Sequence, residues 1–596
     1  MSILCIDFGT AKIKKLVGIL GSRIDVLSNQ CSYPPFISSG KEGILFGEAA
    51  KRAADRVGVT AYPVLIPFLN QQMDFGSSTD YWKLLYNVDC DPDSFLYLRG
   101  VKKHEAQEYA YPISVFAIWL SYLYHVVELS SGIKSTYLAL SPLVSTSAIH
   151  GLLESFSIGE LPTPRIVCQP FCDILAVWES VQSMSRIMVI DLGANYFVTS
   201  FVTNQDNSLS LLDTMDEFLF GGHDIDNILA MQLRNEYRRN NFYIDPSSDL
   251  YRQLLLAAES AKWTLSTQES VEVAPENCPS PVTITRLKFS RLIEYQMKQM
   301  MGFVHRHVRN LHWDDGSFGI LVVGGNARNE VIVRFIREEF PRSRVVIPDD
   351  VETCTVRGLS IAGMIAANLN GSLSEYPSRL IQPSLHRLAI QYDEREEVIA
   401  EKGQPLQMFR RKVDVRNLKQ KQLTLVEIAE QLTQPIWTIE LEPDQGEITL
   451  EISFDDNFDP CLSVNGEIVK PKYYCSLNEI ERKKISGPLH LQRHVSNAKS
   501  FFKDPSSPLR DSALEYLQSI EEKLPILLFQ STSDKRIQYV KTVRRQLKEF
   551  LEALFLRSKK RSLLSVCSHK YGQSRGVQVT SEGSHFSLSL GCAVLF

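Results

Sequence analysis

A chain of 596 residues with 64 Lys and Arg against 69 Asp and Glu carries a net charge of −5. That balance is mild for the length and gives no reason to expect nucleic acid as a partner. The length predicts about two to four domains with a large core, and 11 scattered cysteines, whose nearest pair Cys168 and Cys172 lacks redox or metal-ligand spacing, predict reduced thiols in a cytosol.

The chain opens directly on a strand-like run, Ile3-Leu4-Cys5-Ile6, that enters the acid-glycine turn Asp7-Phe8-Gly9-Thr10 and returns through Leu16-Val17-Gly18-Ile19. With no charged-then-apolar segment ahead of it, a cytoplasmic location is expected. Tyr109–Val127 has no Asp, Glu, Lys or Arg and is rich in Val, Phe, Ile, Leu and Trp. Its Pro112, Ser114, Ser121 and His125 and its marginal length predict a buried core helix, not a membrane span.

The opening pattern then repeats. Ile187-Met188-Val189-Ile190 enters Asp191-Leu192-Gly193-Ala194 and returns through Phe197–Val202. Each copy predicts a hairpin with a carboxylate at its tip. Glycine lets the backbone come close to a ligand, and a carboxylate can hold water on a hard cation such as Mg²⁺. Two facing tips would clamp a metal-bound triphosphate. His305 and His307, two apart on a predicted helix with Arg306 and Arg309, cannot easily share a metal and predict a solvated helix face. A third element, Gly319–Val323, runs into Gly324-Gly325-Asn326-Ala327-Arg328 and then a helical pattern. A glycine pair there brings backbone N–H groups and a helix N-terminus near a nucleotide, or makes a tight turn with no ligand. No Walker-type loop, nucleophile elbow or His-Glu-x-x-His pair competes with this picture.

These residues resemble the ATPase domain of the 70-kDa heat-shock chaperone family, in the actin and sugar-kinase superfamily. Phe46-Gly47-Glu48-Ala49-Ala50-Lys51, Phe220-Gly221-Gly222-His223-Asp224-Ile225-Asp226 and Glu259-Ser260-Ala261-Lys262-Trp263-Thr264-Leu265-Ser266 resemble three further family elements, in matching order. The resemblance implies an α/β fold: a duplicated actin-like (ribonuclease-H-like) nucleotide-binding domain over 1–370, then a small β-domain and C-terminal helices. It implies ATP or ADP with Mg²⁺ as ligands. Asp7 and Asp191 would be the catalytic carboxylates and would hold the metal through water. Gly9, Thr10, Ala11, Lys12, Gly193, Ala194, Asn195, Tyr196, Gly221, Gly222, Glu259, Lys262, Trp263, Ser266, Gly324, Gly325, Asn326 and Arg328 would bind the nucleotide.

The sequence departs from the family at the hydrolytic centre. The second Thr of the first phosphate loop is Ala11, with Lys12 after it; Gly-Gly-Thr of the second loop is Ala194-Asn195-Tyr196; a metal-associated Asp is Val198. The family's Glu before Pro is Gln169, its catalytic lysine has no counterpart in Thr60–Leu69, and a base-stacking Arg is Trp263, whose indole can also stack on a purine. Lys12, Lys14 and Lys15 either replace the lost charge or are exposed strand residues.

Beyond 370 the resemblance is loose. Residues 371–384 predict a linker that matches the family poorly, with only Leu380 and Ile381 in place of a leucine-rich run, so weak interdomain coupling is expected. A β-rich substrate-binding-like domain is expected over 385–475, with Glu401–Leu406 resembling a fragment of the family's peptide-binding domain; a small sandwich with no groove fits equally. Alternation in Trp437–Leu441 and Ile448–Phe454 around Pro443–Gly446 predicts one half-buried hairpin. A helical region over 476–565 follows, a lid over the β-domain or a two-helix packing unit, and a tail over 566–596 with a possible β-hairpin.

The implied function is an ATP-binding chaperone that binds unfolded or extended apolar peptides, with weak or no hydrolysis. It would work with co-chaperones and nucleotide-exchange factors, away from nucleic acid and membranes. A non-hydrolysing scaffold or nucleotide sensor, and an actin-like filament former, are the alternatives.

Overall fold

The computed structural model describes residues 2–9, 12–19, 31–40, 43–53, 60–69, 88–90, 96–100, 108–131, 133–215, 220–246, 248–275, 278–366, 376–384, 386–393, 395–404, 406–429, 432–442, 446–455, 457, 459–473, 479–501, 510–523 and 540–550. Thr10, Ala11, the predicted Pro443–Gln445 turn and the 566–596 tail lie outside them.

Two sheets organise the first part. In the first, Arg165–Cys168, Ile133–Leu140, Ser2–Phe8, Ile13–Ile19 and Cys31–Tyr33 are neighbours in that order. In the second the order is Arg344–Val346, Gly319–Val323, Arg186–Leu192, Phe197–Gln205, Ser208–Thr214 and Arg379–Ile381. Each central strand ends near an aspartate, pairs antiparallel with its returning strand, and pairs parallel on the other side. Parallel neighbours need long crossovers, which here are helices that cover the sheet faces. That burial explains the unbroken apolar runs: Ile3, Leu4, Cys5, Ile6 and Ile187, Met188, Val189, Ile190 are all buried.

The Tyr109–Val127 stretch lies mostly in the helix Pro112–Ser131, whose Val115, Phe116, Ile118, Trp119, Leu120 and Leu123 pack in the first core. Among the described residues no helix is long and apolar enough to cross a membrane. His307 corrects the expectation of a solvated face. On the helix Arg286–Asn310 its ring is buried, stacks on Phe201 at 5.8 Å and contacts Asp213, while His305 faces outward and meets Glu339. Two residues apart on a helix face different ways, and here one way is inward.

The linker segment is docked. Arg379–Ile381 adds a parallel edge strand beside Ser208–Thr214, with Leu209 opposite Leu380. The pairing needs no leucine-rich run: three residues of backbone register place Leu380 and Ile381 at this edge.

The β-domain is a sandwich of a five-stranded and a four-stranded sheet. The hairpin expectation fails. Leu432–Glu440 pairs with Gln422–Ala429, while Glu447–Phe454 pairs with Phe409–Asp414 and Pro460–Val464 in the opposite sheet. Alternation reports which face is buried, not which strand is the partner. Trp437, Ile439, Ile448, Leu450 and Ile452 meet across the sandwich in one core. The domain also touches the first part. Thr146 N–H donates to Glu427 Oε2 at 2.8 Å and Ile166 N–H to Asn457 Oδ1 at 3.0 Å. Lys402 Nζ donates to the Thr214 carbonyl at 2.7 Å, and the His150 ring stacks on Tyr473.

The helix Glu479–Phe501 places Ile485 and Leu489 in the first core, and Arg482 donates to Ser157 at 3.1 Å. Its later residues Leu491 and Val495 pack with Ala513, Leu517, Val540 and Leu547. Among the described residues these helices therefore pack on one another and on the N-terminal region.

Candidate nucleotide site

The second hairpin, the glycine pair after residue 220 and the third loop close on one another. Gly222 N–H donates to the Gly193 carbonyl at 3.1 Å and His223 N–H to the Ala194 carbonyl at 2.8 Å. Asn326 Nδ2 donates to the Leu192 and Gly193 carbonyls at 3.2 and 2.9 Å. The approaches need glycine. A Cβ on Gly221 would lie 2.3 Å from the Asn195 carbonyl oxygen. Gly324, at φ +83°, would place one 2.2 Å from Asp191 Oδ1. Both the clash and the positive φ exclude a side chain there.

The helix Asp249–Thr267 joins this cradle through Lys262, which is 3 % exposed. Its Nζ pairs with Asp226 Oδ1 at 2.7 Å and donates to the Gly222 carbonyl at 3.1 Å, so it fixes the glycine turn from below. Burial pushes His223 down to about 3, with the Lys262 charge adding to the effect, so the ring is neutral. On the same helix Trp263 and Ser266 are half-buried and Glu259 is exposed.

The first hairpin brings Asp7 to the centre. Lys14, directly opposite it in the strand register, reaches Asp7 Oδ2 at 2.8 Å. Burial pulls the Lys14 ammonium down, but Asp7, then Asp191 and Asp173, outweigh it and leave its pKa above the usual lysine value. Gln169 Nε2 donates to Asp191 Oδ2 at 2.8 Å. Burial nevertheless pushes Asp191 up to about 6. Lys12 from the first hairpin and Arg328 from the third loop both pair with Glu352, at 3.2 and 2.7 Å, and both are exposed.

Asp173 is a member of the centre that sequence reasoning missed. Its signal was a lone acid in the apolar run Phe171-Cys172-Asp173-Ile174-Leu175. It is fully buried, and the Thr355 hydroxyl donates to its Oδ1 at 2.7 Å. The helices Gln169–Ala176 and Cys354–Ala366 that carry this pair cross so closely that a Cβ on Gly358 would lie 1.6 Å from the Cys172 carbonyl oxygen. Burial, then the Asp191 charge, push Asp173 well above the carboxylate range. A group raised on folding stabilises fully below its unfolded value, and that contribution is lost as pH rises through the folded value. Asn cannot titrate. Asp173→Asn should therefore melt close to wild type near pH 5 and gain on it steadily toward pH 9. Melting curves that run the other way would show that Asp173 is held charged.

Of the eighteen residues that the resemblance assigned to the nucleotide, Gly193 to Tyr196, Gly221, Gly222, Lys262, Gly324 and Asn326 thus lie in one connected network. Residues 3–367 match the family described as Hsp70 protein. The chain belongs to the Hsp70 family. It is 28% identical over 203 residues to the "Heat shock 70 kDa protein" of Emericella nidulans, covering 32% of each. It is 27% identical over 203 residues to that of Penicillium citrinum, covering 32% of this chain and 40% of the relative. It is 28% identical over 191 residues to "Heat shock 70 kDa protein 2" of Paracoccidioides lutzii, covering 31% of this chain and 29% of the relative. The matches span roughly a third of the length of these Hsp70 relatives. Membership implies an Hsp70-type ATPase domain, with ATP or ADP and Mg²⁺ as the family's ligands.

Proposed function

We propose that this Hsp70 is an ATP-binding chaperone that engages exposed apolar peptide segments and hydrolyses ATP slowly or not at all. The observation that carries the nucleotide half is the closure of Gly193, Gly221–Gly222, Gly324 and Asn326 on one another beside Asp191, whose charge interacts with that of Asp7. Crowded glycines suit a phosphate chain, because without side chains the backbone can approach it closely. The two sheets share one strand order and pairing sense about Asp7 and Asp191, which supports a duplicated actin-like domain. The peptide half rests on the sandwich that follows, where a sheet edge can add an extended segment through backbone hydrogen bonds. Co-chaperones and nucleotide-exchange factors follow from the same reading.

Calorimetry should detect ATP or ADP binding to the full chain, weakened at least about tenfold by Gly324→Trp. That variant puts a Cβ 2.2 Å from Asp191 Oδ1, from a backbone position at φ +83°. No detectable binding to the wild type at millimolar nucleotide would remove the proposal.

A second reading, a non-hydrolysing scaffold or nucleotide sensor, draws on Gln169 and Val198, an amide and an aliphatic group where the family has carboxylates. It keeps the nucleotide site and drops turnover. Peptide binding measured by fluorescence anisotropy separates the two. An actin-like filament would appear as ATP-dependent polymer in sedimentation.

A further inference from the structure

We propose that the Lys14 ammonium takes the place of a divalent cation in this cleft, so that nucleotide is bound without Mg²⁺. The inference rests on the nucleotide-binding reading above and concerns what neutralises the phosphates.

The donor set does not suit a metal. A hydrated Mg²⁺ needs carboxylate oxygens free to accept from its waters. Asp7 Oδ2 already accepts from Lys14, and Asp191 Oδ2 from Gln169, so each carboxylate keeps only its Oδ1 wholly for a metal's waters. The residue opposite Asp7 in the first hairpin is Lys14; the residue opposite Asp191 in the second is Val198. So the two equivalent positions facing the tip carboxylates hold a cation and an aliphatic side chain, and neither can ligate. A dication entering beside Lys14 would also meet like-charge repulsion in a partly desolvated site.

The ammonium is placed where the lost charge would act. Lys14 is not a solvated strand residue: its side chain is 18 % exposed. Its Nζ lies 3.0 Å from where a Cβ on Gly9 would stand, over the backbone of the first phosphate loop. Among the described residues its hydrogen bond is to Asp7 alone. A lysine ammonium has three donors, so two remain for phosphate oxygens. Asp7 orients it, and Asp191 and Asp173 lie close enough to interact with its charge. The strand register makes the arrangement permanent, where a metal would have to be recruited with each nucleotide.

The test is ADP affinity by calorimetry on the full chain, in Mg²⁺ and in EDTA. Wild type should change by less than about fivefold between the two buffers. Lys14→Met should bind at least about tenfold more weakly than wild type in EDTA. It should regain affinity on adding Mg²⁺, because Asp7 is then free. A wild-type loss of more than about fivefold in EDTA would overturn the inference and leave nucleotide binding intact. So would a Lys14→Met protein that binds as wild type does in EDTA. Binding in neither buffer would overturn the inference together with the nucleotide reading. If Lys14→Met does not fold, the wild-type comparison decides alone.

Discussion

ATP turnover by the full chain is expected to fall at least about a hundredfold below that of an Hsp70 relative measured alongside it, the cost typical of one missing electrostatic donor. Phosphoryl transfer offers the protein little covalent chemistry; catalysis is positioning plus charge stabilisation. Three groups of the resembling family are absent. Thr60–Leu69 holds no lysine, and its described residues make a short strand and a 3₁₀ turn. Gln169 has an amide where a carboxylate would handle a proton, and that amide donates to Asp191. Val198 is buried aliphatic surface. Lys14 restores one positive charge, so the electrostatic loss is partial, but an ammonium held by Asp7 has no capacity to orient an attacking water on the far side. The three losses need not add, because groups of one site act as a unit. Single-turnover assays with labelled ATP, beside Asp7→Asn to expose contaminating activity, measure the effect. Turnover at the relative's speed, abolished by Asp7→Asn, would mean that the Lys14–Asp7 pair does the work of the missing groups.

Much of this centre was legible as sequence because it lies in short, local patterns. An apolar run ending in Asp-x-Gly and returning through another apolar run admits few structures other than a hairpin, and both were found as read. Gly324 was legible because a strand that meets two glycines must turn. Lys14 was only half legible. Its sequence neighbours allow a solvated residue or a phosphate ligand, and the choice is made by register, which sets it opposite Asp7. Asp173 and Thr355 were not legible as a pair, since 182 positions separate them and only the crossing of their helices at Gly358 joins them. In the C-terminal part, local signals misled more. Alternation identified the faces of Leu432–Glu440 and Glu447–Phe454 correctly but could not reveal that the chain changes sheets between them. The helix Glu479–Phe501 lies within the helical region read over 476–565, with Gly487-Pro488 in its middle.

Lys262→Met should destabilise the fold around the second sheet by about 3–5 kcal/mol, the usual cost of removing one partner of a buried ion pair. Lys262 and Asp226 side chains are each 3 % exposed and 2.7 Å apart. Methionine fills nearly the same volume, so packing is kept and the loss is electrostatic. Two groups are left behind: the Asp226 carboxylate and the Gly222 carbonyl, which Lys262 Nζ otherwise serves at 3.1 Å. Burial already pushes Asp226 up to about 7 against the pull of Lys262. Without the ammonium it rises further and takes up a proton, which moderates the loss at low pH. The sign follows from linkage: a carboxyl raised on folding contributes stability below its unfolded value and loses it as pH rises. The gap between wild type and variant should therefore widen from pH 6 to pH 8. Removing both charges with Lys262→Met and Asp226→Leu should recover most of the stability, because no buried charge is then unpaired. The recovered protein should still bind nucleotide less well, since the Gly221–Gly222 turn has lost its anchor. Calorimetric melts of the full chain read the stability, following the transition that shifts with the single variant. A single variant that melts with wild type, or a double variant no better than the single, would show that the pair is not what holds this turn in place.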